Sequence, residues 1–199
     1  MAHRQVANFA KDVVYLFQFA GTPTVSSLSP YCVKVEAFCR LHNLKFERRN
    51  TPSLRGANGF LPFIELNGVQ TCESQVILRT LTNHFQLKNY ADAQTEGFAH
   101  TIERMIENHT AHLLRHDSDR VLPELAKLFV KGRAPGFAQP AVISIGGYFM
   151  RRETRGVVQT AIGKYSDAEY DELLRNDLLQ LQNILGDKQF LLGDTPAQV

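Results

Sequence analysis

The chain has 199 residues, of which 44% are hydrophobic and 21% are charged, and this composition excludes a disordered or fibrous protein. Its formal net charge of +2 argues against a nucleic-acid-binding protein, which needs a concentrated basic surface that the pair Arg151-Arg152 does not supply. A chain of this length can bury the core of one large or two small domains without disulfides.

The cysteine pattern indicates a reducing compartment. Cys32, Cys39 and Cys72 are an odd number with no Cys-x-x-Cys spacing, which disfavours a disulfide framework and a structural zinc site. Residues 1–12 lack the apolar core of a signal peptide, and no run approaches the roughly 18 apolar residues that span a bilayer. We predict a cytoplasmic protein without a membrane span, and peripheral association with an organelle membrane stays open.

The first elements are a buried strand and a helix. The β-branched and aromatic run at 13–17 predicts the strand. Ser29 followed by Pro30 is a strong helix-start signal, because Pro lacks the N–H that would be unpaired there anyway. A helix over about 30–41 is therefore expected. Its inward face should include Cys32, Val35, Phe38 and Cys39.

Three strands and a second helix follow in the prediction. Residues 46–49 read as a strand, and the apolar run 60–66 leads into Asn67-Gly68, a typical hairpin turn. Pro62 cannot donate to a ladder, so it should lie at a strand's beginning or edge, with a cis peptide as a candidate. A returning strand at 69–71 comes next. Ser74 can then cap a helix whose apolar stripe comprises Ile77, Leu78, Leu81 and Phe85.

After the polar segment 86–94, which we predict to be the domain boundary, the strong signals are helical. A capping box at 166–169 opens the clearest helix, and Gly186 closes it. The Gly- and Pro-rich stretch 132–147 is interpreted as an irregular connection. Three apolar stripes mark the helices: Phe98, Ile102, Met105, Ile106, His109 and Leu113; Leu122, Leu125, Leu128 and Phe129; Tyr170, Leu174, Leu178, Leu181 and Leu185.

The last residues predict a turn at 190–196 that begins another helix, yet the sequence stops at Val199. A final core helix is therefore expected to be missing, either because the chain is a fragment or because it ends where its relatives continue.

The order of these signals resembles the glutathione S-transferase superfamily. Ser29-Pro30-Tyr31-Cys32 lies at the first helix, Leu61-Pro62 before a strand and Glu73-Ser74 at the next helix start. Within the superfamily the chain resembles the failed axon connections and metaxin-like group, which includes nematode cadmium-responsive proteins. The supporting stretches are SLSPYCVKVEAFCRLHNLKFE, GFLPFIELNG, MIENHTAHLLRH, IGKYSDAEYDELLRNDLLQLQNILGDK and FLLGDTP.

The resemblance implies a two-domain fold. An extension at 1–12 would precede a thioredoxin-like α/β domain at 13–86, and an all-α domain of the glutathione-transferase type would occupy 94–199, incomplete at its end. In that fold Pro62 would be the cis proline and the Leu61 backbone would pair with the cysteinyl part of glutathione. Glu73 and Ser74 would hold its γ-glutamyl carboxylate, since Ser74 supplies a hydroxyl and the N–H groups of a helix start.

Ser29 occupies the position of the nucleophilic Cys of glutaredoxins and omega-type transferases. In serine-type transferases a hydroxyl here stabilises the glutathione thiolate, which makes Ser29 the candidate catalytic residue. The alternative is that Ser29 is only the helix N-cap, and Ser26 and Ser27 compete for the catalytic role. Cys32 is expected to be a core residue, because without a first thiol it cannot form the redox disulfide.

No metal site is predicted. Cys32 and Cys39 lie two helical turns apart, roughly 10 Å along the axis, which is too far for one ion to bridge. His109 is interpreted as a core or interdomain histidine with a satisfied ring nitrogen.

Two functions remain open from the sequence. The favoured hypothesis is a non-catalytic or weakly active adaptor with a protein partner and a partly retained glutathione pocket. The alternative is an active serine-type glutathione S-transferase that conjugates glutathione to an electrophile. Many members of the superfamily form dimers, so a homodimer stays open, although no surface patch in the sequence requires one. Both hypotheses share a fold, so the fold cannot decide between them.

Overall fold

A computed structural model describes residues 4–21, 25–27, 29–51, 53–87, 90, 92–117, 135–136 and 139–193. After Tyr90 the chain divides into two compact units, called here unit 1 and unit 2. The predicted stripe at 122–129 and the predicted final helix lie outside the described residues. In the described ranges, no helix combines the length and apolarity that a membrane crossing needs.

Unit 1 is an α/β unit with four strands and two helices. In chain order these are β1 (Val14–Gln18), α1 (Pro30–Leu41), β2 (Phe46–Asn50), β3 (Phe63–Leu66), β4 (Val69–Cys72) and α2 (Ser74–Phe85). The sheet order is β2-β1-β3-β4, with β1 and β2 parallel and the other pairs antiparallel. This is the thioredoxin-like topology that the resemblance implies. The third strand begins at Phe63, directly after Pro62, as expected for a residue that cannot donate to the ladder.

Both faces of this sheet are covered, so β1 is buried along its whole length. Alternating residues such as Val14 and Leu16 pack against α1 and α2. On the opposite face, Phe17 and Phe63 stack with ring centroids 4.4 Å apart. The N-terminal segment 4–12 packs on this second face. Its contributions there include Val6 and Phe9.

Unit 2 is helical. It comprises α3 (Ala93–Met105), a π-helical turn (Ile106–Thr110), α4 (Ala111–Asp117), α5 (Gln139–Ile162) and α6 (Asp167–Leu185). Leu113, Val158 and Tyr170 form its buried cluster, drawn from α4, α5 and α6. The predicted capping box at Ser166 is confirmed, and Gly186 is the C-cap of α6.

The first long stripe was predicted on one regular helix, and this was wrong. A π-helical turn carries an extra residue per turn, so it changes which residues of that turn face inward. Thr110, 2% exposed, takes the inward position next to His109, whereas Phe98 is 45% exposed. In α6 the predicted stripe residue Leu178 is exposed, and the neighbouring Asp177, 13% exposed, contacts His109.

The irregular connection predicted at 132–147 was also wrong in its second part, because α5 begins at Gln139 and continues through Gly147. Pro140 does not break the helix, since it stands in the first turn where its missing N–H has no helical partner to lose. Gly147 destabilises a helix by about 1 kcal/mol relative to Ala, and this cost does not prevent a 24-residue helix from forming.

Candidate functional site

Ser29 stands at the start of α1, with extended backbone at φ −104° and ψ 124°. Its carbonyl accepts the N–H of Val33 at 3.0 Å, so it is the N-cap by position. Its hydroxyl makes no capping hydrogen bond to the described residues of α1. The alternative that Ser29 is the helix N-cap is therefore confirmed in position, although not through a side-chain hydrogen bond to the described residues.

Ser27 has a structural role in the same loop. It is 3% exposed, its hydroxyl donates to the Phe19 carbonyl at 2.9 Å, and its Oγ accepts the Ser29 N–H at 3.3 Å. A hydroxyl engaged in this way is a poor candidate for activating a thiol. Of these two serines, Ser29 is the better candidate for the catalytic role.

A buried polar pair, Gln18 and Glu36, contacts the loop before α1 at Ser26. Gln18, fully buried at the end of β1, donates through Nε2 to Glu36 Oε2 at 3.2 Å and to the Ser26 carbonyl at 3.4 Å. Burial alone would raise the pKa of Glu36, but hydrogen bonds from Arg40 and Gln18 and the charge of Arg48 outweigh it, so the pKa lies below its ordinary value. Within the described chain, Gln18 Oε1 has no hydrogen-bond partner.

The β3–β4 hairpin brings the four predicted binding residues together. The Leu61–Pro62 peptide is cis, as expected, and Pro62 is buried just before β3. Because Phe63 pairs with Cys72, the residues before Phe63 and those after Cys72 leave the hairpin at the same end. Leu61 and Pro62 therefore lie at the sheet end from which Glu73 and Ser74 emerge.

Glu73 is the N-cap of α2, and Ser74 is the first helical residue. The prediction that Ser74 caps this helix was off by one position. Ser74 is 7% exposed, whereas Glu73 is exposed and has a positive φ of 70°. The Glu73 carboxylate accepts a hydrogen bond from Asn58 Nδ2 at 2.6 Å, and its carbonyl accepts from the Ile77 N–H at 2.8 Å.

The helix starts of the two units differ. In unit 2, Asp92 caps α3 by accepting the Thr95 N–H at 2.8 Å, and Ser166 caps α6. Both of these helices carry acidic residues in their first turn. Among the described residues, α1 and α2 have neither a side-chain cap nor an acidic residue there. The positive dipole ends of these two helices therefore favour anionic groups near Ser29 and Ser74.

The cysteines offer no redox pair. Cys32 and Cys39 are fully buried, and burial together with the charge of Glu36 raises the pKa of Cys39 to about 12. Cys72 is partly buried, and all three thiols are free. No group of three or more His, Cys, Asp or Glu side chains in the described ranges is placed to hold a metal ion.

His109 lies in unit 2 and contacts an acidic partner. Its Nδ1 is 2.9 Å from Asp177 Oδ2, and Thr110 donates to the same oxygen. A ring nitrogen is thus satisfied, as our interpretation requires, although the side chain stays about one third exposed. Sequence reasoning missed Asp177 because it follows His109 by 68 residues.

Residues 30–119 match the family described as glutathione S-transferase N-terminal domain. The chain is 31% identical over 201 residues to Failed axon connections of Drosophila melanogaster, which covers 96% of this chain and 48% of that protein. It therefore spans about half the length of that relative. It is also 26% identical over 181 residues to the isoprene-epoxide–glutathione S-transferase of Rhodococcus sp. strain AD45, covering 85% of this chain and 75% of the enzyme.

A solved structure with a similar fold is the beta-etherase LigF from Sphingobium sp. strain SYK-6. The TM-score is 0.62 at 13% identity, with 93% of this chain and 78% of the etherase covered. Together with the family match, this likeness confirms the predicted fold class, a thioredoxin-like unit followed by a helical unit.

Proposed function

The chain belongs to the glutathione S-transferase superfamily, and we propose that it is a glutathione-binding adaptor with little or no catalytic activity. The observation that carries the proposal is the meeting of Leu61, Pro62, Glu73 and Ser74 at one end of the β3–β4 hairpin. The superfamily uses these positions to hold glutathione, as the resemblance implies. Glutathione is thus the proposed ligand, and no metal is required.

Each part of the ligand has a matching group in this proposal. The Leu61 backbone pairs with the cysteinyl part, and the hydroxyl of Ser74 and the N–H groups of the first turn of α2 bind the γ-glutamyl carboxylate. The positive end of the α2 dipole supports this, because it favours a carboxylate near Ser74.

The adaptor role is what the resemblance to the failed axon connections and metaxin-like group implies, and it would make another protein the physiological partner. The free cysteines are consistent with a cytoplasmic location, and association with an organelle membrane would be peripheral.

One observation favours a second candidate, a serine-type glutathione S-transferase. The Ser29 hydroxyl is not used to cap α1, so it is available to donate to a glutathione thiolate at a positive helix end. The similarity to the Rhodococcus enzyme makes an epoxide the first electrophile to test.

Retention on immobilised glutathione tests the shared pocket. The double variant Glu73→Ala/Ser74→Ala should pass through the column while the wild type is retained. The matched control is Ser166→Ala/Glu169→Ala, which removes the same two residue types from the start of α6 and should be retained. Equal retention of all three proteins would contradict the proposed pocket.

Turnover separates the two functions. Wild type and Ser29→Ala are assayed for conjugation of glutathione to an aryl halide and to an epoxide. The adaptor proposal expects no turnover from either protein. Turnover by the wild type that is lost in Ser29→Ala would instead establish the transferase.

A further inference from the structure

Helix α5 of unit 2 carries a basic groove. The positions three, four, seven and eleven residues after Tyr148 lie on the same face of the helix as Tyr148 itself. The first three of these positions hold arginine and the last holds glutamine, and all of them are exposed. A groove of about 590 Å³ runs along this face. Its lining residues are Tyr148, Arg151, Arg152, Arg155, Gly156 and Gln159.

The arginines of this groove are one another's neighbours on the helix. Arg151 and Arg155 are four residues apart, and Arg152 and Arg155 are three apart. Like charges at these spacings destabilise a helix, whereas an acidic residue there would stabilise it. In α5 no acidic residue stands three or four positions from any of the three arginines. Glu153, the acidic residue of α5, lines a neighbouring groove instead.

Gly156 leaves the groove open. A glycine inside a helix costs about 1 kcal/mol of stability relative to alanine. Packing does not explain this glycine, because no described residue beyond the adjacent helix backbone lies within 4 Å of the place that a Cβ would take. A side chain at this position would enter the groove that Gly156 lines. Two features that destabilise α5 thus meet in one groove, as expected where a site needs its residues for binding.

The length and the side chains of the groove specify its occupant. From Tyr148 to Gln159 the helix rises about 16 Å, which is the length of about five residues of extended chain. Arginine binds carboxylates through paired N–H donors, and arginine and tyrosine are frequent anchors of protein interfaces. Tyr148 is 62% exposed, and Ile145, one turn before it, is 61% exposed. An apolar residue of the occupant would contact this pair.

Two other classes of anionic partner match the groove less well. A nucleic acid is bound through many phosphate contacts, which three arginines on a chain of net charge +2 do not provide. A helix that lies on an anionic membrane presents a wide apolar face beside its basic residues. The described lining of this groove includes a single aromatic side chain, that of Tyr148, and the rest is basic or small or polar.

We propose that this groove of α5 docks an acidic segment of a partner protein. The segment is extended and about five residues long, with carboxylates at the three arginines and an apolar residue beside Tyr148. The inference rests on the proposed adaptor function and specifies the chemistry of its partner. Arg151 and Arg155 already make interactions within the chain, so the segment would share or replace those contacts.

Fluorescence anisotropy tests this proposal on the full chain. The probe is a fluorescein-labelled peptide of glutamates with a leucine at each end, about five glutamates long to match the groove, and the comparison peptide has lysines instead. Wild type should bind the acidic peptide, more weakly as the salt concentration rises, and should not bind the basic one. Arg151→Glu/Arg152→Glu/Arg155→Glu should weaken binding at least about tenfold, the loss expected from three surface ion pairs together. Gly156→Leu should weaken it at least about threefold by filling the groove, although leucine favours the helix.

The matched control is Arg79→Glu/Lys164→Glu/Arg175→Glu, which changes the net charge equally at exposed positions outside the groove. It should bind the acidic peptide within about threefold of wild type, because distant charges are screened. Equal losses in the two triple variants would reduce the effect to net charge and overturn the proposal. A wild type that does not bind the acidic peptide would also overturn it.

Two further measurements identify other occupants. Sedimentation with vesicles containing phosphatidylserine detects a lipid surface, and analytical ultracentrifugation of the protein alone detects a second copy. Either form of binding, if it were lost in the arginine variant while wild type ignored the acidic peptide, would replace the proposed partner.

The groove and the glutathione pocket can fail separately. Both triple variants should be retained on immobilised glutathione, since none of the changed residues belongs to the proposed pocket. Retention without peptide binding would therefore leave the pocket standing and remove the groove. Peptide binding by a wild type that also turns over an electrophile would refute the adaptor role and keep the groove.

Discussion

Replacing Glu65 with Ala should destabilise unit 1 strongly, although Glu65 is a charged residue in the middle of a strand. Its side chain is 1% exposed and accepts the N–H groups of Gln5 at 2.7 Å and Val6 at 2.8 Å. These two bonds hold the N-terminal segment 4–12 on the second face of the sheet. The variant leaves both N–H groups without their acceptor.

The size of the effect follows from these contacts. Hydrogen bonds to a charged group contribute about 1.5–3 kcal/mol each. The segment can shift and expose the freed N–H groups to water, so the two losses should not add in full. We expect the free energy of unfolding to fall by about 2–4 kcal/mol, a large share of the 5–15 kcal/mol typical of a domain.

Urea unfolding monitored by circular dichroism measures this change. The matched control is Glu47→Ala, which removes the same residue type from β2, where the side chain is 52% exposed and pairs with Arg49 at the surface. The control should change the free energy of unfolding by less than about 0.5 kcal/mol. A Glu65→Ala variant as stable as this control would show that Glu65 does not hold the segment.

Three further predictions concern other contacts. Burial raises the pKa of Cys39 to about 12, so iodoacetamide at pH 8 should leave this thiol unmodified in the folded protein. The partly buried Cys72 should be alkylated first, and peptide mass spectrometry measures the modification of each cysteine. Because the pKa of Glu36 is lowered in the folded state, its ionised form stabilises the fold above the ordinary pKa of 4.5, and this contribution is lost as the pH falls through the folded-state value. Glu36→Gln should therefore be less stable than wild type at pH 7, and the gap should narrow below about pH 4.5 in thermal melts. Ser166→Ala removes the cap of α6 and should cost about 1 kcal/mol in urea unfolding, whereas the exposed Ser144→Ala should cost almost nothing.

The elements of unit 1 could be predicted because each has a local signal. Pro30 begins α1, Asn67-Gly68 joins β3 to β4, and apolar residues recur with the strand or helix period. The π-helical turn of unit 2 has no such signal. Its extra residue puts Thr110 in the inward position where His109 was predicted, whereas Ile102 before the turn and Leu113 after it are buried as predicted.

The polar pairs of the fold could not be predicted for a different reason. Glu65 meets a segment 60 residues away and His109 meets an acid 68 residues away. Glu36 is reached by Gln18 from a neighbouring strand. A local pattern treats Glu65 and Glu36 as exposed charges and names no partner for His109, and only the tertiary structure supplies the group that stabilises each side chain.

The failures at Ser29 and Ser74 have a common physical meaning. The rule that a serine before a helix caps it holds at Ser166, where the cap is part of a capping box, and fails at both helix starts of unit 1. A cap satisfies the N–H groups that a bound anion would otherwise use, so capping and anion binding compete for the same donors. Local rules tend to break where a site needs the group for something else. The two uncapped starts are therefore positions at which a thiolate and a carboxylate would gain from binding. The proposed glutathione pocket uses the start of α2, and a serine-type transferase would also use Ser29 at the start of α1.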